Sequence, residues 1–186
     1  VFLVVGQGNP GPQYERTRHN AGFQVLDRLG LEFRKKRVAS GHEALLAEAQ
    51  GGLFVKPLTY YNATGQVVGP LARFYKIPPE RILVVHDEMD LPLGRLRLKA
   101  GGGLAGNRGL LSIAQALGST GFHRLRLGIG KPPSPEDGAR YVLSPFLPEE
   151  LPVWERVLEA ARGAVFCWVE EGFAPCANRF NALDLR

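Results

Sequence analysis

The sequence predicts an α/β fold, a single-domain three-layer sandwich in which helices flank a central mixed sheet. Three observations carry that expectation. Two short runs, Val1–Val5 and Ile82–Val85, are wholly apolar, as strands buried on both faces are. Stretches with apolar residues at helical spacing lie between the strand candidates, which is the alternation of a layered α/β fold. No internal repeat, low-complexity stretch or linker divides the 186 residues, so one domain is expected over 1–186.

The elements follow in order. Val1–Val5 runs into glycines and reads as a buried first strand. Asn20 to Leu31 places Phe23, Leu26 and Leu29 at helical spacing behind a good capping residue, Asn20. Glu43–Ala49 and Leu53–Val55 flank Gln50-Gly51-Gly52, a hairpin signal. Asn62 to Tyr75 is again helical, through Val67, Val68, Leu71, Phe74 and Tyr75. Ile82–Val85 is a second buried strand, stopped by the polar run His86-Asp87-Glu88. Arg95–Lys99 alternates basic and apolar residues, as a strand with one wet, basic face does. Asn107–Leu117 reads as a helix after Gly101-Gly102-Gly103, and Arg124–Ile129 as a strand pointing Leu125, Leu127 and Ile129 inward. Lys131–Pro148 is proline-rich and reads as a long ordered or gating loop. Glu149–Glu171 is a long amphipathic helix and Pro175–Leu183 a short closing segment.

Composition narrows the function classes. With 45% hydrophobic and 22% charged residues the chain can bury a full core and lies outside the disordered regime. No apolar run approaches the roughly 18 residues of a membrane span, and the N-terminus lacks the basic flank of a signal peptide. The only two cysteines, Cys167 and Cys176, show no metal-ligand spacing and no disulfide framework, so a reducing cytoplasm is expected. Net charge is +5, but its distribution says more. Leu91 to Lys131 holds Arg95, Arg97, Lys99, Arg108, Arg124, Arg126 and Lys131 and no acid. Such a sector reads either as a solvated face or as the footprint of an anionic partner. The missing counter-charges favour the partner, with a phosphate backbone leading.

Gly6-Gln7-Gly8-Asn9-Pro10-Gly11 satisfies the dinucleotide pattern G-x-G-x-x-G after a strand. That chemistry needs a helix N-terminus directly behind the glycines. Here Pro10, Pro12 and Gln13-Tyr14 delay the helix, and no acid ends a second parallel strand, so a nicotinamide enzyme is disfavoured. From the residues alone, His19 is as readily a helix-start histidine bonding the backbone. Asn9 and Asn62 are then turn and cap residues, and Asp87 caps a turn or, beside His86, Glu88 and Asp90, binds a metal.

The same segment continues as Tyr14-Glu15-Arg16-Thr17-Arg18-His19-Asn20-Ala21-Gly22-Phe23. From Gly6 to Phe23 it resembles the opening signature of bacterial peptidyl-tRNA hydrolases. Three further blocks resemble that family in order: Lys56–Asn62 (K-P-x-T-(Y/F)-M-N), His86–Gly94 (H-D-(D/E)-L-D-L-P-x-G) and Phe122–Gly130 (F-x-R-L-R-x-G-I-G). The resemblance implies an enzyme that hydrolyses the ester between a peptide and its tRNA, with no cofactor and no metal. It implies His19 as general base, Asp87 as its orienting partner, and Asn9 as the residue that helps distinguish N-acylated from free aminoacyl groups. Tyr14, Tyr60 and Asn62 would line the groove for peptide and tRNA 3′ end, Asn107 would contact substrate through its amide, and Lys99 and Arg126 would hold the 5′ phosphate. The implied partner is peptidyl-tRNA alone, bound by a cytoplasmic monomer with no membrane and no obligate protein partner.

Independently of the resemblance, ester hydrolysis needs a base for water, a group to orient it and donors for the oxyanion. An imidazole, a carboxylate at a strand end and loop amides supply these. Two departures from the family pattern stand out. Tyr61 occupies a position where the family usually has Met. Asn107-Arg108 stands where it commonly has His-Asn. The second departure lends some support to an alternative, a non-catalytic RNA-binding relative, but such a binder has no need of both His19 and Asp87.

Overall fold

The computed structural model describes residues 1–186. Seven strands form one sheet: β1 (Leu3–Gly6), β2 (Arg34–Arg37), β3 (Glu43–Ala49), β4 (Gly52–Pro57), β5 (Ile82–Glu88), β6 (Leu96–Ala100) and β7 (His123–Gly128), in the order β2-β3-β4-β1-β5-β7-β6. The central strands β4, β1, β5 and β7 are parallel; β2 and β3 at one edge and β6 at the other run antiparallel to their neighbours. Helices α1 (Ala21–Asp27), α2 (Gly65–Phe74), α3 (Arg108–Leu117), α4 (Gly138–Val142), α5 (Leu151–Glu171) and α6 (Phe173–Phe180) complete the chain. The mixed-sheet α/β expectation is met.

The apolar runs follow from burial on both sides. Val4, Leu83, Val85, Leu125 and Leu127 share one core with Leu26 of α1 and with Trp154 and Val165 of α5. The alternate residues Leu3, Val5, Ile82 and Val84 meet Val67, Val68 and Leu71 of α2 and Ile113 of α3. Each fully buried side chain of this size contributes roughly 1.5–3 kcal/mol, so neither face of a central strand can carry a polar residue cheaply. Helix α1 crosses close over β1 and β5. A Cβ on Gly22 would collide with the Val85 carbonyl and the Gln7 amide, so only glycine lets the helix start lie against the strand ends.

The structure departs from the sequence reading in five places. Strand β5 does not stop at Val85. His86, Asp87 and Glu88 continue it, paired with Arg126, Leu127 and Gly128 of β7, because backbone pairing tolerates polar side chains where the sheet ends in a cleft. Asn20 is not a side-chain cap; its Oδ1 accepts from the Asn9 amide (2.9 Å) and its Nδ2 donates to the Asn9 carbonyl (3.0 Å). Strand β2 went unread because Arg34-Lys35-Lys36-Arg37 is exposed throughout and held by pairing to β3, so it has no alternation to detect. Lys131–Pro148 is not merely a loop, since it contains α4, preceded by a 3₁₀ turn over Pro135–Asp137. Finally, Cys167 and Cys176 are joined in a disulfide, contrary to the expectation of none. The turn at Gly172 folds α6 back on α5 and sets their Cα atoms 5.9 Å apart.

Candidate active site

Strand β1 has β4 on one side and β5 on the other, so the connections leaving its neighbours diverge and open a crevice at the C-terminal ends of the strands. Three segments meet there: the loop after β1, the segment after β4 and the end of β5. With the start of α3 they line a groove of about 520 Å³, to which they bring Asn9, His19, Tyr60, Asn62 and Asp87 and the helix brings Asn107. A larger hollow of about 720 Å³ lies at the β2 edge, between Arg34, Lys36 and Phe74. It is lined by no histidine, and chemistry, not volume, singles out the groove.

At the groove floor, His19 Nδ1 lies 2.9 Å from Asp87 Oδ2. Asp87 is nearly buried, whereas His19 keeps about a fifth of its side chain exposed. Engaging Nδ1 leaves Nε2 as the nitrogen available to a substrate. The other carboxylate oxygen, Oδ1, accepts from the Tyr61 hydroxyl at 2.8 Å. The Tyr61 ring stacks on the imidazole with centroids 3.6 Å apart and planes within 11°. Burial, reinforced by the Asp87 charge, holds the Tyr61 phenol well above its ordinary range, so it remains a donor.

Asn9 is tied on three sides. Its backbone is held by Asn20, and its Oδ1 accepts from the Tyr61 amide at 2.6 Å, which leaves Nδ2 as its remaining polar atom in the groove. Asn107 caps α3, its Oδ1 accepting from Leu110 N at 3.0 Å, while its Nδ2 donates to the Tyr61 hydroxyl at 2.9 Å. Tyr60 is exposed and meets Tyr14 edge to face at 6.4 Å, so these two rings form a rim. The opposite wall is α4 with Leu143. Buried Arg18 pins it by donating to Ser144 Oγ (2.6 Å) and Glu150 (2.9 Å) and lying over the Tyr141 ring at 4.1 Å.

Lys99 and Arg126 are not in the groove. They line a small adjoining cavity with His86, Glu88 and Arg124, on the face of the sheet that α3 covers, and Glu88 borders both spaces. The basic sector is less free than its composition suggests. Arg124 is buried, donating to the carbonyls of Gly102, Gly103 and Thr120. Arg126 pairs with Glu88 at 3.0 Å, a counter-charge from outside the basic segment. Lys99 has no ion-pair partner. Burial drives His86 toward its neutral form, its Nδ1 bonding the Asp87 carbonyl at 2.8 Å.

Reading residues one at a time missed Tyr61, Arg18 and Glu88. Tyr61 announced itself only as a departure from a pattern. Nothing in the sequence marks Arg18 as buried, and Glu88 reads as part of a turn until β5 is seen to continue.

A family model described as peptidyl-tRNA hydrolase matches residues 3–186. The chain is 75% identical over 185 residues to a peptidyl-tRNA hydrolase of Thermus thermophilus, covering 100% of this chain and 98% of that protein. It is 46% identical to one from Mycobacterium sp. (strain KMS), covering 97% of each. Among solved structures, the peptidyl-tRNA hydrolase of Acinetobacter baumannii superposes with a TM-score of 0.89 at 36% identity, covering 100% of this chain and 97% of that one.

Proposed function

The chain belongs to the peptidyl-tRNA hydrolase family and hydrolyses peptidyl-tRNA; we propose that it does so with His19 as general base, oriented by Asp87. The 2.9 Å contact between His19 Nδ1 and Asp87 Oδ2 carries this reading, because it presents Nε2 to the groove as a proton acceptor. A water beside Nε2 gives up a proton as its oxygen attacks the ester carbonyl. The amides of Asn9 and Asn62 supply donors for the oxyanion. Collapse breaks the bond to the ribose oxygen, which takes the proton from His19. The products are a peptide carboxylic acid, which gives up its proton to solvent to become the carboxylate, and a tRNA hydroxyl, and the base is regenerated.

The groove suits the substrate's two ends. The pocket between Asn9 and the α4 wall takes the peptide side, where Asn9 Nδ2 favours an acylated nitrogen's carbonyl over a free ammonium. The Tyr14–Tyr60 rim offers faces for an unpaired terminal base, and Lys99 with Arg126 offers charge to the 5′ phosphate. One domain over residues 1–186 supplies every group named, which fits a monomer. No helix is long and apolar enough to cross a membrane. A cytoplasmic location fits a substrate made by translation. The test compares tRNA release from N-acylated and unacylated aminoacyl-tRNA by wild type and His19→Ala. Wild type should prefer the acylated form, and a variant with near-normal rate would end the assignment of the base.

A further inference from the structure

We propose that Tyr61 is a positioning residue for the hydrolysis, holding the Asp87 carboxylate through its hydroxyl and the His19 imidazole through its ring, with Asn107 setting the direction of the hydroxyl proton. The inference rests on the His19–Asp87 reading above.

Asn107 Oδ1 accepts from Leu110 N, the first orphan amide of α3 to find a side-chain partner. That bond fixes which way the Asn107 amide faces, so the atom 2.9 Å from the Tyr61 hydroxyl is Nδ2, which can only donate. The phenol oxygen therefore accepts there, and its single proton goes to its other neighbour, Asp87 Oδ1, at 2.8 Å. With Oδ1 occupied, Asp87 turns Oδ2 to His19 Nδ1, which must carry a proton to bond an ionised carboxylate. Nε2 is left with a free lone pair. A helix cap thus selects, through two hydroxyl and carboxylate links, the tautomer that the base needs.

Packing supports the same role. Tyr61 is fixed at its backbone by Asn9 Oδ1 and at its ring by the stack on His19. The ring fits because residue 109 is glycine; a Cβ there would stand 2.6 Å from Tyr61 Cε1. Both members of the Tyr61–Asn107 pair sit where the chain departs from the family pattern. A methionine at 61 has no proton to donate, so the two departures form one unit.

The test uses Tyr61→Phe, which deletes one oxygen and keeps the stack, and Asn107→Ser, which keeps a good helix cap and removes the amide donor. Both are assayed on N-acylated aminoacyl-tRNA across pH. Tyr61→Phe should lower kcat by about 10-fold with KM within about twofold, as loss of one hydrogen bond to a charged group implies. Its carboxylate is less neutralised, so the acid limb of the pH–rate profile should move up by about half a unit. Asn107→Ser should lower kcat less, and the double variant should match Tyr61→Phe alone, since the amide acts only through the phenol. Wild-type kcat and pH profile in Tyr61→Phe, a loss confined to KM, or additive effects in the double variant would each overturn the proposal. If Tyr61→Phe does not fold, the pH profile of Asn107→Ser decides the matter by the same criterion. His19→Ala serves as the separate arm: a normal rate there removes the base itself, whatever Tyr61 does.

Discussion

The His19–Asp87–Tyr61 centre and the basic corner of β6 and β7 lie side by side at one end of the sheet, yet they are built on different principles. In the centre every polar atom is assigned by its neighbour. Asp87 uses one oxygen for His19 and the other for Tyr61, and Tyr61 is directed by Asn107. In the corner, charge was plentiful in the sequence but is largely committed in the fold. Arg124 is taken up by three backbone carbonyls and Arg126 by Glu88. Lys99 alone of these three side chains has neither an ion pair nor a hydrogen bond within the fold. Function in the centre depends on direction, and in the corner on whatever charge remains after structural uses are met.

The sharpest way to break this contrast is at the centre. His19→Ala should cost on the order of 100- to 10,000-fold in kcat while leaving tRNA affinity near wild type. Asp87→Asn should fall in the same range, because an amide can stabilise the wrong imidazole tautomer. Affinity losses as large as the rate losses would mean the centre also docks the tRNA, and the two regions would not be separable.

A smaller effect is expected at Arg124. Arg124→Ala should lower unfolding free energy by roughly 2–4 kcal/mol, since it strands three carbonyls and opens a void beneath the glycine loop. Denaturant titration measures this, and an unchanged midpoint would show that this arginine is not structural. Lys99→Ala should barely affect stability, and Arg126→Ala should cost some, because it leaves the buried Glu88 carboxylate unpaired, but stability is not where these two variants should differ most from wild type. They should instead weaken binding of full tRNA substrates and flatten its salt dependence by about one log–log unit per lost phosphate contact. Cleavage of a minimal substrate lacking the 5′ end should hardly change. Equal losses on both substrates would place these residues in the active site and dissolve the distinction.

The smallest expected effect tests how His86 connects the two regions. Its native form resists protonation because it is buried. Below the ordinary imidazole value of 6.5 the unfolded chain binds a proton there that the native chain does not. Stability must therefore fall as pH drops through that window. Tm measured from about pH 7.5 to 5 should decline, and less steeply in His86→Asn. Parallel declines in the two proteins would remove His86 as the cause.

Much of this molecule was legible in one dimension. Burial on both faces makes a strand apolar throughout, so β1 and most of β5 could be read directly, and 3.6-residue periodicity marked α2, α3 and α5. His19, Asp87, Asn9, Tyr60, Asn62 and Asn107 were all named from the sequence, and the fold brings them to one groove. Strand β2 escaped because its stability comes from pairing, which leaves no trace in side-chain pattern. The disulfide escaped because it depends on the turn at Gly172, not on a spacing rule.

Residue types and local periodicity, set by chain-local sterics and burial, determined the α/β class, the core and the inventory of bases, acids and amides. Only the tertiary structure decided how that inventory is used. Hydrogen bonds are directional and span residues far apart in sequence. Whether Arg126 meets Glu88, or Tyr61 donates to Asp87 under the direction of Asn107, is settled by the register of β5 on β7 and by the seating of α3 over the sheet.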